Sequence, residues 1–317
     1  LVGSEMCIRD RSNMKRIRSK LIILRLVLLG LFHLNCAKEP INFENEMVQR
    51  DNKYYLKGQN EPYTGPIYSS YSNNTLKSKG DVSDGKKDGL WNEWYENGRI
   101  KSKENFKNGK ATGVWELWHD NDQMKLKASF SNGKANGPRI EWYDNGQKKE
   151  EGHFIDDQFD GQWIKWYPTG LKSAEGKYVK NKEQGIHTFW HPNGNKKSEA
   201  NFKNGDIVGL RIDWYENGQK KEEGTSEGLW TQWYENGNKK GQGYYKNKAP
   251  IGKHILWHSN GNMRSVMHFI SGRPHGLRTE WYDNGQKKEE GNFINGEQQG
   301  RWTYYNKDGT LDGTEDY

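Results

Sequence analysis

A glycine recurs at one fixed interval through most of this chain, and that spacing limits what the chain can fold into. The only irregular interval, from Gly209 to Gly228, is five residues shorter than the others. A fixed period of this size predicts a repeat array in which each unit packs on its neighbours. Such arrays bind partners along their length more often than they form a catalytic pocket. The glycines that mark the units are Gly65, Gly89, Gly113, Gly137, Gly161, Gly185, Gly209, Gly228, Gly252, Gly276 and Gly300.

Each unit carries the turn signals of a β-hairpin. With the periodic glycine counted as position 0, a unit reads G-x-W-x-x-W-Y-x-N-G-x-x-K, with an aromatic residue at position 17. The first Asn-Gly predicts a two-residue type I′ turn, and a second Asn-Gly, as at Asn108–Gly109, predicts the return into the next unit. We therefore predict an all-β fold, an elongated single-layer antiparallel meander of about eleven 24-residue hairpin repeats.

A two-residue first turn also predicts the pairing across each hairpin, with position 5 opposite position 12. The short unit at 209–227 lacks the position-17 aromatic and the second Asn-Gly, so we expect a kink or a shortened hairpin there, with a return strand ending near Gly224. The predicted pairs, which would form cation–π contacts, are Trp94 with Lys101, Trp118 with Lys125, Trp142 with Lys149 and Trp281 with Lys288.

All 14 tryptophans lie within the repeats, at position 2 or position 5. The two positions have opposite parity, so in a regular strand they lie on opposite faces of the sheet. The position-5 tryptophans form our candidate binding surface, and purely structural ring ladders are the alternative interpretation. The nine are Trp94, Trp118, Trp142, Trp166, Trp190, Trp214, Trp233, Trp257 and Trp281.

The W-Y-x-N-G pattern resembles the bacterial variant of the MORN-type (membrane occupation and recognition nexus) repeat over residues 61–317. The resemblance implies a non-enzymatic scaffold that binds a protein partner or an anionic lipid surface. Bacterial chains of this type are often labelled YwqK-family antitoxins, so neutralisation of a toxin by direct binding is an alternative. The hairpins are also similar to choline- and glucan-binding repeats, which makes glycan binding a third interpretation.

Charge and motifs exclude several other functions. The net charge is +7, but residues 1–35 supply +5 of it (seven basic and two acidic residues), which leaves +2 for the rest and predicts no nucleic-acid surface. No catalytic, cofactor or zinc motif occurs, so we predict neither an enzyme nor a cofactor. His187 and His191 lie four residues apart on one strand, as do His254 and His258. That spacing is too wide for one metal ion, so we predict no metal site.

The stretch before the array, residues 1–60, reads as a leader and a connection. Residues 1–13 resemble non-native read-through, and residues 14–35 have the basic then apolar order of a signal peptide. Cys36 follows at once, in a sequence that resembles a bacterial lipoprotein site, and residues 36–60 read as a tether. We therefore expect a lipid-anchored protein of the cell envelope facing the periplasm or the cell surface. Simple secretion and an uncleaved anchor are the alternatives.

Overall fold

The computed structural model describes residues 38–317, so Cys36 and the predicted leader lie outside the described residues. Residues Glu39–Tyr317 form one compact unit. It begins with the strand β1 (Ile41–Asn42), the short helix α1 (Phe43–Glu46) and the strands β2 (Met47–Arg50) and β3 (Lys53–Leu56). The strands that follow are β4 (Gly65–Ser70), β5 (Leu76–Ser83), β6 (Lys86–Trp94), β7 (Ile100–Lys107), β8 (Lys110–Ala111), β9 (Gly113–Trp118), β10 (Met124–Ser131), β11 (Lys134–Trp142), β12 (Lys148–Ile155), β13 (Gln158–Phe159), β14 (Gly161–Trp166), β15 (Lys172–Val179), β16 (Lys182–Trp190), β17 (Lys196–Lys203), β18 (Asp206–Trp214), β19 (Lys220–Gly224), β20 (Gly228–Trp233), β21 (Lys239–Lys246), β22 (Ala249–Trp257), β23 (Met263–Ile270), β24 (Arg273–Pro274), β25 (Gly276–Trp281), β26 (Lys287–Ile294), β27 (Glu297–Tyr305) and β28 (Leu311–Asp316).

The repeats build one long, open antiparallel sheet, which confirms the predicted fold class. The sheet has 26 strands, and from β4 onward successive strands pair with their neighbours in chain order. The strand β1 adds to β4 in parallel, through Ile41 opposite Ile67. Among the described residues, only β2 and β3 lie outside this sheet, as a separate two-stranded hairpin.

The second turn of each regular unit, which is Asn-Gly in four units, makes the predicted return into the next unit and has the conformation of a type I′ turn. Asn108 and Gly109 both have positive φ, at 51° and 78°, and Asn204 and Gly205 repeat this at 55° and 91°. A type I′ turn needs positive φ at both central residues, which asparagine and glycine tolerate best. These turns join each unit to the next.

The first Asn-Gly turn differs from the prediction, because it belongs to a three-residue loop. The carbonyl of Tyr95 accepts from the N–H of Gly98 at 2.9 Å, and the N–H of Tyr95 donates to the carbonyl of Arg99 at 2.8 Å. Within the Asn97–Gly98 pair, only Gly98 has positive φ. This is the pattern of a type I turn closed by a glycine bulge. A hairpin signal in sequence does not distinguish the two loops.

The predicted pairing of position 5 with position 12 is therefore wrong. Trp94 lies opposite Ile100 and not Lys101, and Trp118 lies opposite Met124 and not Lys125. Trp142 lies opposite Lys148 and not Lys149, and Trp281 opposite Lys287 and not Lys288. A bulge beside position 5 then absorbs the extra residue, so that Trp91 faces Glu104, as a two-residue turn would also have placed it.

The periodic glycines owe their recurrence to backbone conformation. All eleven position-0 glycines have φ between 64° and 149°. Residues other than glycine rarely adopt this backbone conformation. The glycine therefore lets each strand bend where one hairpin passes into the next.

Residues 41–56 form regular structure, whereas the sequence analysis placed them in a tether. Met47 from this segment is buried with Ile67, Val82 and Trp91 of the first repeats, and Tyr54 stacks on Trp91 with ring centroids 6.2 Å apart. The segment therefore covers the aromatic end of the array.

The irregular unit at 209–227 forms a shortened hairpin. Its return strand β19 has five residues, where most return strands in the array have eight. Gly224 still pairs with Trp230 of the next unit, but the chain then passes into β20 without the second turn. One type I′ turn is thus missing from an otherwise regular row.

Candidate functional site

The two faces of the sheet carry different chemistry, and we name them by their recurring side chains. The ring face carries positions 2, 15 and 17, and the lysine face carries positions 1, 5, 11 and 14. On the ring face, five position-2 rings pack against the position-17 ring of the preceding unit. Trp115, for example, has its ring centroid 5.1 Å from that of Phe106 and 4.6 Å from that of Phe130. This face is where most of the aromatic surface is buried.

A glycine at position 15 makes room for the ring of the following unit. A Cβ at Gly80 would overlap the Trp91 indole, and a Cβ at Gly152 or Gly291 would overlap Trp163 or Trp302. Trp91, Trp163 and Trp302 are each at most 4% exposed. The ring and the glycine therefore form one contact across the unit boundary.

Arginine replaces the position-2 ring in three units, at Arg139, Arg211 and Arg278. For two of them, the residue that pairs with the arginine from the preceding unit is alanine: Ala128 pairs with Arg139, and Ala200 pairs with Arg211. Arg139 binds Glu150 and lies 2.7 Å from Glu141. Arg278 likewise binds Glu280 and lies 3.0 Å from Glu289, and Arg211 lies 2.9 Å from Asp213. These half-buried ion clusters interrupt the ring ladder.

The three arginines recur with a longer period that the sequence analysis missed. Arg139 and Arg211 are three units apart, and Arg278 lies three units further on, with the short unit counted as one of them. Histidine at position 6 has the same period, at His119, His191 and His258. Comparing every third unit, rather than adjacent units, would have found this recurrence.

The nine candidate tryptophans at position 5 lie on the lysine face and are all half-buried. Five of them form cation–π contacts with a lysine at position 11 of the preceding unit, and among the described residues none does so with position 12 of its own unit. The Nζ of Lys148 lies 5.7 Å from the ring centroid of Trp166, and that of Lys196 lies 5.7 Å from Trp214. The structure thus sets these rings in one row but covers much of each.

The same lysines form ion pairs within their own strand. Lys148 lies 2.7 Å from Glu151 and Lys196 lies 2.6 Å from Glu199. The position-12 lysines lie elsewhere, since Lys149 pairs with Glu141 at 2.8 Å and Lys101 with Glu93 at 3.1 Å. Ion pairs thus neutralise the charge of five position-11 lysines and three position-12 lysines.

An exposed row of aliphatic side chains runs along the lysine face at position 1. Ile186 is 64% exposed, and a groove of about 310 Å³ lies between it, Val208 and Leu210. Position 1 is polar at Gln162 and Lys253, so the row is interrupted there, but its apolar stretches are exposed surface of the kind that marks interaction sites. Sequence reasoning passed over position 1 because its residues are unremarkable singly. The row comprises Leu90, Val114, Ile186, Leu210, Leu229 and Leu277.

Hydrogen bonds connect the hairpin tips of consecutive units. The hydroxyl of Tyr143 donates to the carbonyl of Trp166 at 2.9 Å, and the amide of Asn145 donates to the carbonyl of Pro168 at 2.8 Å. His191 and His258 occupy the tyrosine position, with Nε2 3.0 Å and 2.8 Å from the carbonyl oxygens of Trp214 and Trp281. These histidines therefore take the place of tyrosine in the hydrogen bonds between consecutive hairpin tips.

His187 and His254, the other members of the two histidine pairs, occupy position 2, where five units have tryptophan. The Nε2 of His187 lies 2.9 Å from the carbonyl oxygen of Lys177, as the Nε1 of Trp115 lies 2.9 Å from that of Asn105. The residues described, 38–317, contain no group of three or more potential metal-binding side chains. In the same residues no helix is long and apolar enough to cross a membrane.

Two carboxyl groups on the ring face show how burial and ion pairing compete. Burial raises the pKa of Glu104, and the nearby Glu93 raises it further. Burial acts in the same direction on Glu141, but the hydrogen bond from Lys149 and the charges of Lys149 and Arg139 outweigh it and lower the Glu141 pKa. Both pKa shifts arise because the two carboxyl groups are partly buried on the ring face.

The repeats match a known family model, described as the MORN repeat variant, in six segments: 87–108, 135–156, 183–204, 207–227, 226–247 and 274–295. A search of curated proteins found no significant match. Among solved structures, the crystal structure of TcdB2-TccC3-Cdc42 is similar at 11% identity and a TM-score of 0.18, over 75% of this chain and 16% of that one. The TcdB2-TccC3 structure is similar at 10% identity and a TM-score of 0.18, over 78% and 17%. The chain thus spans about a sixth of these structures, and such low scores carry no argument. What the family comparison establishes is that the chain carries repeats of the MORN variant type.

Proposed function

We propose that this protein is a non-enzymatic scaffold that binds a protein partner along the lysine face. The observation that carries the proposal is the row of aliphatic side chains at position 1, in which Ile186, Leu210 and Leu277 are each more than half exposed. These residues share a face with the position-5 tryptophans. The array therefore offers one repeated apolar and aromatic strip with charged side chains beside it.

A protein partner suits this surface better than an anionic lipid surface. Residues 36–317 carry a net charge of about +2, obtained as +7 less the +5 of residues 1–35. Recurring lysines such as Lys172 and Lys220 are paired with glutamates at 2.6 Å and 2.5 Å. Attraction to anionic membranes needs clustered, unpaired basic residues, which these pairs do not provide.

Site-specific photo-crosslinking in the native cell would test the proposal. A benzoylphenylalanine at Ile186 or Leu277 should give one and the same crosslinked protein. The same probe at Lys149, which pairs with Glu141 on the ring face, should not give it. Absence of a crosslink at every position-1 site would contradict the proposal. Sedimentation with phosphatidylglycerol vesicles, abolished by high salt, would favour a lipid surface instead.

We further propose that the scaffold is held at the cell envelope by a lipid on Cys36. The support is the position of Cys36 directly after a basic and then apolar stretch. Two acyl chains are enough for stable anchoring, so the array itself need not bind the membrane.

A further inference from the structure

The missing turn of the short unit leaves a notch on the array, lined by Thr225, Ser226, Trp230, Gln232, Tyr245 and Lys248. Its volume is about 290 Å³, near the lower end of the range for ligand pockets, which starts at roughly 300 Å³. The cavity is therefore of a size for one side chain rather than a large ligand. We propose that the notch binds an aromatic side chain presented by a polypeptide partner.

The rest of the array shows what fits against a position-2 ring. In five units, that ring contacts the position-17 ring of the preceding unit, with centroids 5.1–5.3 Å apart. The five contacts are Phe106 with Trp115, Phe154 with Trp163, Tyr178 with His187, Tyr245 with His254 and Phe293 with Trp302. An aromatic side chain is thus the regular neighbour of this site.

At Trp230 that neighbour has been removed from the chain. Ser226 stands at position 17 of the unit that begins at Gly209, the position of the aromatic residue. Trp230 is half-buried, as is Trp115, whereas Trp163 and Trp302 are 3% and 0% exposed. The indole still packs over Gly224, so the ring is held in its usual place with one side uncovered.

The short connection is tied down beside the notch and does not fill it. The Thr225 hydroxyl donates to the carbonyl of Glu227 at 2.7 Å, and the Glu227 carboxylate accepts from the N–H of Asn247 at 2.8 Å. These bonds fix the rim without supplying a ring. A pre-formed site loses less conformational freedom when a ligand enters.

The rim also indicates the sequence around the aromatic residue. Lys248 is exposed at the opening, and Thr225, Ser226 and Gln232 offer hydrogen-bonding groups around the indole. A carboxylate close to the aromatic residue would pair with Lys248. The fitting partner is therefore a short segment with a phenylalanine or tyrosine and a nearby acidic residue.

This inference goes beyond the proposed function, because Trp230 and the notch lie on the ring face whereas the position-1 row lies on the lysine face. The probe for its test is an acetylated, amidated peptide with the sequence of residues 292–299 (NFINGEQQ), the segment that completes the regular unit before Gly300. Its phenylalanine would be replaced by 4-fluorophenylalanine, so that fluorine NMR reports binding to the full chain at millimolar peptide. Line broadening should saturate, and a peptide with alanine in place of phenylalanine should compete at least about tenfold more weakly, the value of burying one ring.

Two protein variants make the test specific. Replacing residues 225–227 by NFINGEQQ restores a unit of regular length, and this graft should fold at least as well while abolishing peptide binding. Trp230→Leu should also weaken binding. No broadening with the native chain, or equal broadening with the graft, would overturn the inference. So would glucose or N-acetylglucosamine displacing the peptide, because the notch would then be a sugar site.

The two proposals can fail separately. If the graft loses the peptide but keeps the crosslinked partner at Ile186, the notch is a real site that the partner does not require. If the graft binds the peptide as the native chain does and still crosslinks, the notch inference is wrong and the scaffold proposal stands.

Discussion

At the scale of single residues, the contact between a position-15 glycine and the next ring is the most exacting one in the array. Gly291→Ala would place a Cβ within the indole of Trp302, which is fully buried. Overpacking of this kind costs about 1–3 kcal/mol. We expect the variant to unfold at a lower urea concentration than the native chain, as measured by tryptophan fluorescence.

The chain offers a matched control for that substitution in the strand β28. A Cβ at Gly313 would meet no atom within 4 Å, so Gly313→Ala should change stability by less than about 0.5 kcal/mol. Equal losses for the two variants would show that backbone freedom, and not the ring, sets the need for glycine at 291.

Glu104 gives a second prediction at this scale, through pH. Burial raises its pKa above the usual 4.5, so the protonated form is favoured on folding. The stabilisation from protonation is complete below the unfolded pKa and is lost as the pH rises through the folded pKa. Glu104→Gln should therefore be more stable than the native chain at pH 7, with the difference closing at pH 4. Urea titrations at both pH values would measure this, and a constant difference would contradict it.

At the scale of the hairpin, the hydrogen bond at each tip is the link that can be removed most cleanly. Tyr143→Phe deletes the donor to the Trp166 carbonyl and should cost about 0.5–1.5 kcal/mol. Hydrogen exchange of β12 and β14 should become faster. Tyr143→His should retain most of the protection, because His191 and His258 fill this position in the native array.

The hairpin is also the scale at which sequence prediction succeeded and then failed. The returns at Asn108 and Asn204 were predicted, because asparagine and glycine tolerate positive φ at two successive residues best. The loop at Tyr95 to Arg99 was not, because Asn-Gly suits either a two-residue or a three-residue loop. The register of Trp94 depends on that choice and on a bulge with no residue signature of its own.

The same limit applies to the candidate site. Periodicity identified the nine position-5 tryptophans, but it gave their cation–π partners as the position-12 lysines, which is wrong. It could not assign Lys148 to Trp166, because that contact joins two units and the prediction considered one hairpin at a time. The notch at Trp230 was half predictable, since the missing aromatic was visible in sequence but the uncovered ring was not.

At the scale of the whole molecule, we predict that Cys36 decides where the protein is found. Cys36→Ser, expressed from Met14, should move the protein from the membrane fraction to the soluble exported fraction, since loss of both acyl chains removes the anchor. Mass spectrometry of the N-terminal peptide should show acyl chains on the native protein alone. Unchanged fractionation without acyl mass would mean that another part of the chain holds the membrane.

The arginine recurrence has a consequence for how a gene of this kind can change length. Loss of residues 137–208, three whole units, would join the unit of Gly113 to that of Gly209 and set Ala128 opposite Arg211. That junction would reproduce pairings already present, Ala128 with Arg139 and Ala200 with Arg211. Loss of a single unit would instead bring together residues from unlike units. Unequal recombination between copies can thus shorten or extend the protein in one genetic event, and selection should tolerate steps of three units more readily than steps of one.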